Sequence, residues 1–417
     1  MAPELAVVRS TAELDREQWD ALVPPSRVYL RYDWLRAVEQ CFGFDLVFFL
    51  LRRDGRTVAG LQALVVRGPD EFPYHDPAGA LFGDYELDHL RRALAHGRPV
   101  QERARAGALL DAVARSEAAF TRASGYPALV VTSPYGYVGD VLTLPSVDRR
   151  SAIDRLLEAV GDHCREQGIA SCCLLWQSGA DPVLHRALAD HGYLEFLSDL
   201  EYELDVGPLS GFDDYLGLLD SKRRVAVRSE VRRFADSGMR LERAGAPDRA
   251  VIARCAQLSA GQQEKYGLPV DRAAMERLFT ALLTGRSLGA VLHLVRRPAA
   301  PEGQDIAGFL LCLQADGVLH PKFLGFDAGA VGANYAYFNL VFYHLVEQAI
   351  AAGAHRIGYG MGSADAKRRR GCGPVEVRGW IRFCDPAVQR RLEPYITVFH
   401  CLKRQLLASP DGDRVRP

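Results

Sequence analysis

Ile306-Ala-Gly-Phe-Leu-Leu-Cys-Leu-Gln314 and Val318-Leu-His-Pro-Lys-Phe-Leu-Gly-Phe326 read as two apolar strands folded about the turn Ala315-Asp-Gly317. A glycine-rich stretch follows, then an amphipathic helix over Tyr335–Ala352, then Gly353, then a strand over His355–Tyr359. Glycine just past the last helical turn supplies the left-handed residue that favours a helix stop. Hairpin, helix, glycine and strand together make one α/β unit.

The unit is written twice. Asp45–Arg53 and Arg56–Val66 enclose Asp54-Gly55, and Arg150–Gln167 runs through Gly168 into a strand over Ala170–Trp176. The first copy carries an insertion at about 67–125, and the copies join near Val206-Gly-Pro-Leu-Ser210, before a helix beginning Phe212-Asp-Asp-Tyr215. The expected fold is α/β: two related domains in tandem, 1–206 and 207–417, each a twisted mixed sheet with flanking helices. A length of 417 residues suits two domains of about 200 each.

Composition narrows the class. Hydrophobic residues make up 48% and charged residues 25%, an ordinary globular balance. The net charge of −1 gives no global attraction to nucleic acid or membranes, and apolar runs such as Leu46–Leu51 are far too short to span a bilayer. The start Met-Ala-Pro-Glu lacks the pattern of a secretory signal, so a cytoplasmic protein is expected. The nine cysteines are scattered with no Cys-x-x-Cys pair, and the 11 histidines lack ligand spacing, so no metal is expected. Lysine is scarce: only Lys222, Lys265, Lys322, Lys367 and Lys403.

Several segments, in this order, resemble the tandem GNAT-like families, namely the FemA/FemX-type aminoacyltransferases and the FemAB-like acyltransferases. Trp19-Asp-Ala-Leu22 and Tyr32-Asp-Trp-Leu35 look like that family's first helices, and Ser133-Pro-Tyr-Gly-Tyr137 resembles its Pro-Tyr-Gly-Tyr loop. Phe212-Asp-Asp-Tyr-Leu216, then Ser221-Lys-Arg-Arg224 and Arg228, is similar to the basic helix opening its second domain. Tyr359-Gly-Met-Gly362, followed by the basic run from Lys367, resembles its strand-glycine-lysine ending. Gly325–Asn334 stands in the place of the GNAT pyrophosphate loop without its Arg/Gln-x-x-Gly-x-Gly/Ala spacing. The resemblance implies N-acyl transfer from acyl-CoA, a co-substrate rather than a tightly bound cofactor, to a small or carrier-linked amine in cell-wall or secondary-metabolite biosynthesis. Aminoacyl transfer from aminoacyl-tRNA is the alternative, and an accessory protein on the same scaffold is a third.

The site residues follow from chemistry and likeness together. A strand feeding a glycine-rich loop into a helix presents free N–H groups, so Ala328, Gly329, Gly332, Ala333 and Asn334, with Lys322, are candidates to hold the donor; a plain connection capped by Asn334 is the bland alternative. His320 and Lys322 lie two apart and share a strand face, where His320 has the chemistry to take a proton from an amine; a distorted edge at Pro321, with both side chains meeting solvent or a carboxylate, is the other reading. The likeness makes Lys367 an oxyanion stabiliser; a solvated run Lys367-Arg-Arg-Arg370 is the other possibility, and Tyr359, ending the preceding strand, either bonds substrate or walls the cleft. Tyr74, His75, Asp76, Tyr135 and Tyr137 supply rings and polar groups on acceptor-side loops. Arg224 and Arg228, four apart on one helix face, suit phosphates of tRNA or of a nucleotide-linked substrate, or simply form a solvated face.

Overall fold

The computed structural model describes residues 3–69, 71, 75–83, 107–108, 125–265, 270–285, 287–298, 305–327 and 335–408. The strands of the first half are β1 (Glu4–Val8), β2 (Leu46–Arg53), β3 (Arg56–Val66), β4 (Ala128–Val131), β5 (Leu142–Thr143), β6 (Ser171–Ser178) and β7 (Leu194–Asp205). Those of the second are β8 (Arg240–Arg243), β9 (Val291–Arg296), β10 (Ile306–Ala315), β11 (Val318–Phe326), β12 (Arg356–Met361) and β13 (Gly373–Phe383). All belong to one 13-stranded mixed sheet in the order β1-β2-β3-β4-β6-β13-β7-β12-β11-β10-β9-β8, with β5 paired to β3.

The order shows the duplication. Reading inward from each edge, β1-β2-β3-β4-β6 matches β8-β9-β10-β11-β12, and the last pair of each set, β4–β6 and β11–β12, is parallel. Each parallel pair is bridged by a helix, as parallel connections require. Helix Arg149–Glu166 is capped by Asp148, whose carboxylate accepts from the Ser151 N–H, and Gly168 follows it at φ +65°. In the second half the helix runs as Ala336–Phe338, a wider π segment Asn339–His344 and Leu345–Ala351, and ends at Gly353 with φ +66°.

One sequence expectation is corrected. The two Asp-Gly hairpins are not equivalents: β2–β3 turns at Gly55, whereas β10–β11, turning at Gly317, corresponds to β3–β4. The long insertion of the first half therefore lies where the second half has a tight turn.

The closing strands are exchanged. β13, from the end of the chain, lies between β6 and β7, and β7 pairs with both β13 and β12. One hydrophobic cluster accordingly draws on both halves, including Trp34, Phe48 and Phe196 together with Phe309, Phe323 and Phe399, while two others back the separate halves. Large side chains buried this fully contribute about 1.5–3 kcal/mol each.

Candidate active site

The cleft arises where a parallel pair comes apart. β11 and β12 are in register only at Val318–Arg356 and Leu319–Ile357, and beyond that the strands separate. Pro321 has no N–H to continue the ladder. β11 also bulges against β10, where Leu311 faces Phe323 and Cys312 faces Pro321, leaving Lys322 as the extra residue. β12 bulges against β7 between Gly358 and Gly360, the latter at φ +65°. Bulges of this kind redirect side chains beside functional sites.

The opening is a cavity of about 530 Å³. His320 and Lys322 line one wall, Arg356 and the Gly358–Met361 backbone a second, and Glu201 and Glu203 of β7 a third. The first half closes it with Arg27, Tyr29, Gly136, Tyr137, Ser178 and Gly179. The structure thus brings His320, Lys322 and Tyr137 together, three residues that the sequence placed in separate roles.

Lys322 is held by rings. Its Nζ lies 4.2 Å from the ring centre of Tyr137, 5.0 Å from Tyr29, 5.7 Å from Phe323 and 6.0 Å from Trp34. Among the described residues it has no hydrogen bond or ion pair. Aromatic faces attract a cation but do not replace its water, and burial brings the amine down from 10.5 to about 7. His320 packs edge-on to Tyr29 at 5.5 Å, and its Nε2 has no partner among the described residues. Burial first, then Arg356, Arg27 and Lys322, lower it to about 4, so the ring is neutral at pH 7.

The Tyr137 loop is wound tightly. Ser133 Oγ donates to the Tyr29 carbonyl at 2.5 Å and receives the Trp34 indole N–H at 3.0 Å. A Cβ on Gly136 would lie 2.5 Å from Ser133 Oγ and 2.7 Å from Tyr29 Cβ, so only glycine fits. Tyr135 and Tyr137 adopt φ of 54° and 53°, uncommon for bulky residues. Such strain persists where its surroundings enforce it, often at sites of function.

The expected residues on and after β12 make contacts within the protein. Lys367 is buried, and its Nζ donates to the carbonyls of Tyr359, Gly360 and Met361 at 2.9, 2.9 and 2.8 Å. It braces the end of β12 and is not itself part of the cavity lining. The Tyr359 ring stacks on Phe342 at 4.9 Å within the second-half core, its hydroxyl buried without a partner among the described residues. Arg370 is likewise buried, 2.9 Å from Glu230 and 3.6 Å from the Phe338 ring centre, so the basic run is not a solvated loop.

On the acceptor side, His75 packs behind Tyr137 at 5.7 Å, and its Nε2 accepts from the Tyr135 N–H at 3.2 Å. Burial, with Lys322 nearby, lowers it to about 3. Asp76 caps helix Pro77–Phe82 and accepts from Tyr126. Tyr135 packs on Phe42 at 4.6 Å and Phe44 at 5.9 Å. His75, Asp76 and Tyr135 therefore brace the loop that carries Tyr137. Arg224 and Arg228 lie on helix Ser221–Asp236 and do not line the cavity; Arg228 is exposed and Arg224 half-buried. Tyr74, Ala328, Gly329, Gly332, Ala333 and Asn334 lie outside the described residues.

The comparisons with known proteins agree with this architecture. A model of the FemAB-like family, described as peptidoglycan biosynthesis/recognition, matches residues 112–405. The chain belongs to the FemAB-like family. Among solved structures, FemX is similar over 94% of this chain and 100% of its own, at 12% identity and a TM-score of 0.55. A tandem GNAT protein from the clavulanic acid biosynthesis pathway is similar over 92% of this chain and 99% of its own, at 14% identity and a TM-score of 0.49. No curated protein matches the chain in sequence. The FemX likeness establishes the tandem GNAT-like fold, and the family and fold together support a transferase of acyl or aminoacyl groups. No helix among the described residues is long and apolar enough to cross a membrane, and no group of three or more metal-ligating side chains occurs among them.

Sequence reasoning missed the acidic wall of this FemAB-like cavity. Glu201 and Glu203 alternate with the buried Leu200, Tyr202 and Leu204, a pattern that reads as a solvent-facing strand. Arg27, Tyr29 and Arg356 carried no local signal either, since each gains significance only from the halves meeting.

Proposed function

We propose that this FemAB-like protein transfers an acyl group from acyl-CoA to an amine acceptor connected with the cell wall, in the cytoplasm. The cavity where β11 and β12 part carries the proposal, because it places an unpaired amine, Lys322, between the two halves. The second half, 207–417, would hold the donor, with its thioester carbonyl beside Lys322. The first half, 1–206, would select the acceptor through the Tyr137 loop.

Lys322 is suited to the oxyanion of the tetrahedral intermediate. Burial brings this amine down to about 7, and negative charge developing beside it favours its charged form. The amine therefore favours the transition state over the ground state. Lys367 would act indirectly, by holding the Tyr359–Met361 backbone in place.

Aminoacyl-tRNA is the second donor reading, favoured by Lys222, Arg223, Arg228, Arg232 and Arg233, all exposed on one helix. Supplying radiolabelled acetyl-CoA or charged aminoacyl-tRNA, with a lysine-containing stem peptide as acceptor, tests both. Labelled peptide with acetyl-CoA alone supports the first reading, and with aminoacyl-tRNA alone the second. No label from either donor, and no effect of Lys322→Met on binding of CoA or peptide, would favour an accessory role.

A further inference from the structure

We infer that Glu201 is the anchor for the acceptor, which therefore enters the cavity as a primary ammonium ion, and that this carboxylate takes the ammonium proton. The inference rests on the transferase reading of the same cavity and adds the charge state of the acceptor and the group that receives it.

Of the two acidic residues on the cavity wall, only Glu201 lacks a cationic partner among the described residues, and Lys322 is held by rings rather than by a carboxylate. Arg356 lies 2.9 Å from Glu203. Arg27 lies 3.9 Å from Asp140 and donates to the Ser178 carbonyl. Lys367 is committed to three carbonyls. Glu201 has no cationic partner within ion-pair distance among the described residues; its Oε1 accepts from Ser178 Oγ, which leaves Oε2 open. A half-buried carboxylate with a single neutral donor is costly to keep unless something charged meets it. Glu201 is also rigidly mounted, in register with Met361 on one side and Val375 on the other. Lys322 and His320 line the same cavity, and burial disfavours the charged form of each.

Burial, opposed by the Ser178 bond, Arg27 and Lys367 and reinforced by Glu203, holds the Glu201 carboxyl above its usual value, so it is a better base than a solvated one. The step balances as follows. R–NH3⁺ gives one proton to Glu201, and the freed nitrogen lone pair attacks the donor carbonyl carbon. The C–N bond forms and the carbonyl π pair moves to oxygen. On collapse the C–S or C–O bond breaks, the leaving atom takes a second N–H proton, and the amide keeps the third. Glu201 then returns its proton to water.

The test uses the purified full chain with n-pentylammonium and 1-pentanol as probes, followed by ligand-observed NMR at pH 7. The wild type should bind the ammonium at least about tenfold more tightly than the alcohol. Glu201→Gln should weaken ammonium binding by about tenfold or more and leave the alcohol unchanged, and Glu201→Asp should fall between. Equal wild-type affinity for the two probes overturns the inference, and that comparison needs no variant to fold. Equal ammonium affinity in wild type and a folded Glu201→Gln also overturns it. Donor-dependent acyl transfer that survives Glu201→Gln unchanged would sink the anchor and leave the transferase reading standing. Glu201-dependent ammonium binding without transfer from either donor would uphold the anchor and sink the transferase reading.

Discussion

Replacing Lys322 with methionine keeps an unbranched side chain one atom shorter and removes the charge from the aromatic cage. In the folded chain the amine titrates at about 7 instead of 10.5. Between those values the unfolded chain holds a proton that the folded chain does not, so stability rises with pH across that window, and the penalty is full below about 7. From pH 6 to pH 9, linkage gives a gain of about 2.7 kcal/mol from this group alone. The side chain keeps some contact with water in the cavity, so about 1–3 kcal/mol is the expected gain. Denaturant midpoints of wild type and Lys322→Met at both pH values isolate it, because the other titrating groups cancel in the difference. The variant should be the more stable protein at pH 6 and lose most of that advantage by pH 9. The chain has only five lysines, so ¹³Cε-lysine labelling gives a direct check. One resonance should titrate near 7 and vanish in the variant. Parallel stability profiles, with all five lysines titrating near 10.4, would refute the reasoning.

Other residues should respond differently. Lys367→Met strands three backbone carbonyls and should cost about 2–4 kcal/mol by urea denaturation, lowering stability and transfer together, whereas Lys322→Met lowers transfer while raising stability at pH 6. Gly136→Ala forces a methyl against Ser133 and Tyr29 and should cost about 1–3 kcal/mol, read from the same transition. Arg370→Ala leaves Glu230 without its guanidinium and should cost about 3–5 kcal/mol; in a double-mutant cycle, Glu230→Gln should recover part of that loss. If aminoacyl-tRNA is the donor, Arg228→Ala with Arg232→Ala should weaken tRNA binding and flatten its salt dependence, with no change in affinity for pentylammonium.

Local features of this fold were legible in the sequence. Asp54-Gly55 and Asp316-Gly317 take the positive φ their hairpins need, and Gly168 and Gly353 end the two bridging helices as read. The equivalence of the hairpins was misread because a tight turn announces only its own two strands. Which strand of the repeat it joins depends on where an insertion has been placed. The exchange of β7 and β13 leaves no local trace, since both strands alternate like any half-buried strand. At the site, His320 and Lys322 were legible as a pair because alternation puts them on one face. The bonds from Lys367 to the β12 carbonyls were not legible, because a charge run gives no sign that one member will turn back on its own strand. Glu201 stayed hidden because a carboxylate on an alternating strand looks the same whether it faces water or a cavity.

The exchanged strands also bear on how the molecule is made. Trp380 pairs with Leu174, about 200 residues earlier, and Glu376 with Leu200. During synthesis the strands of the first half can pair among themselves, but β6 must wait with an open edge until β13, about 200 residues later, has left the ribosome. The seam of the sheet is then the last part to close, and it adjoins the cavity wall formed by β7 and β12. A nascent or truncated chain would carry a finished outer sheet with an incomplete cavity, and an exposed strand edge ready to recruit another unfinished copy.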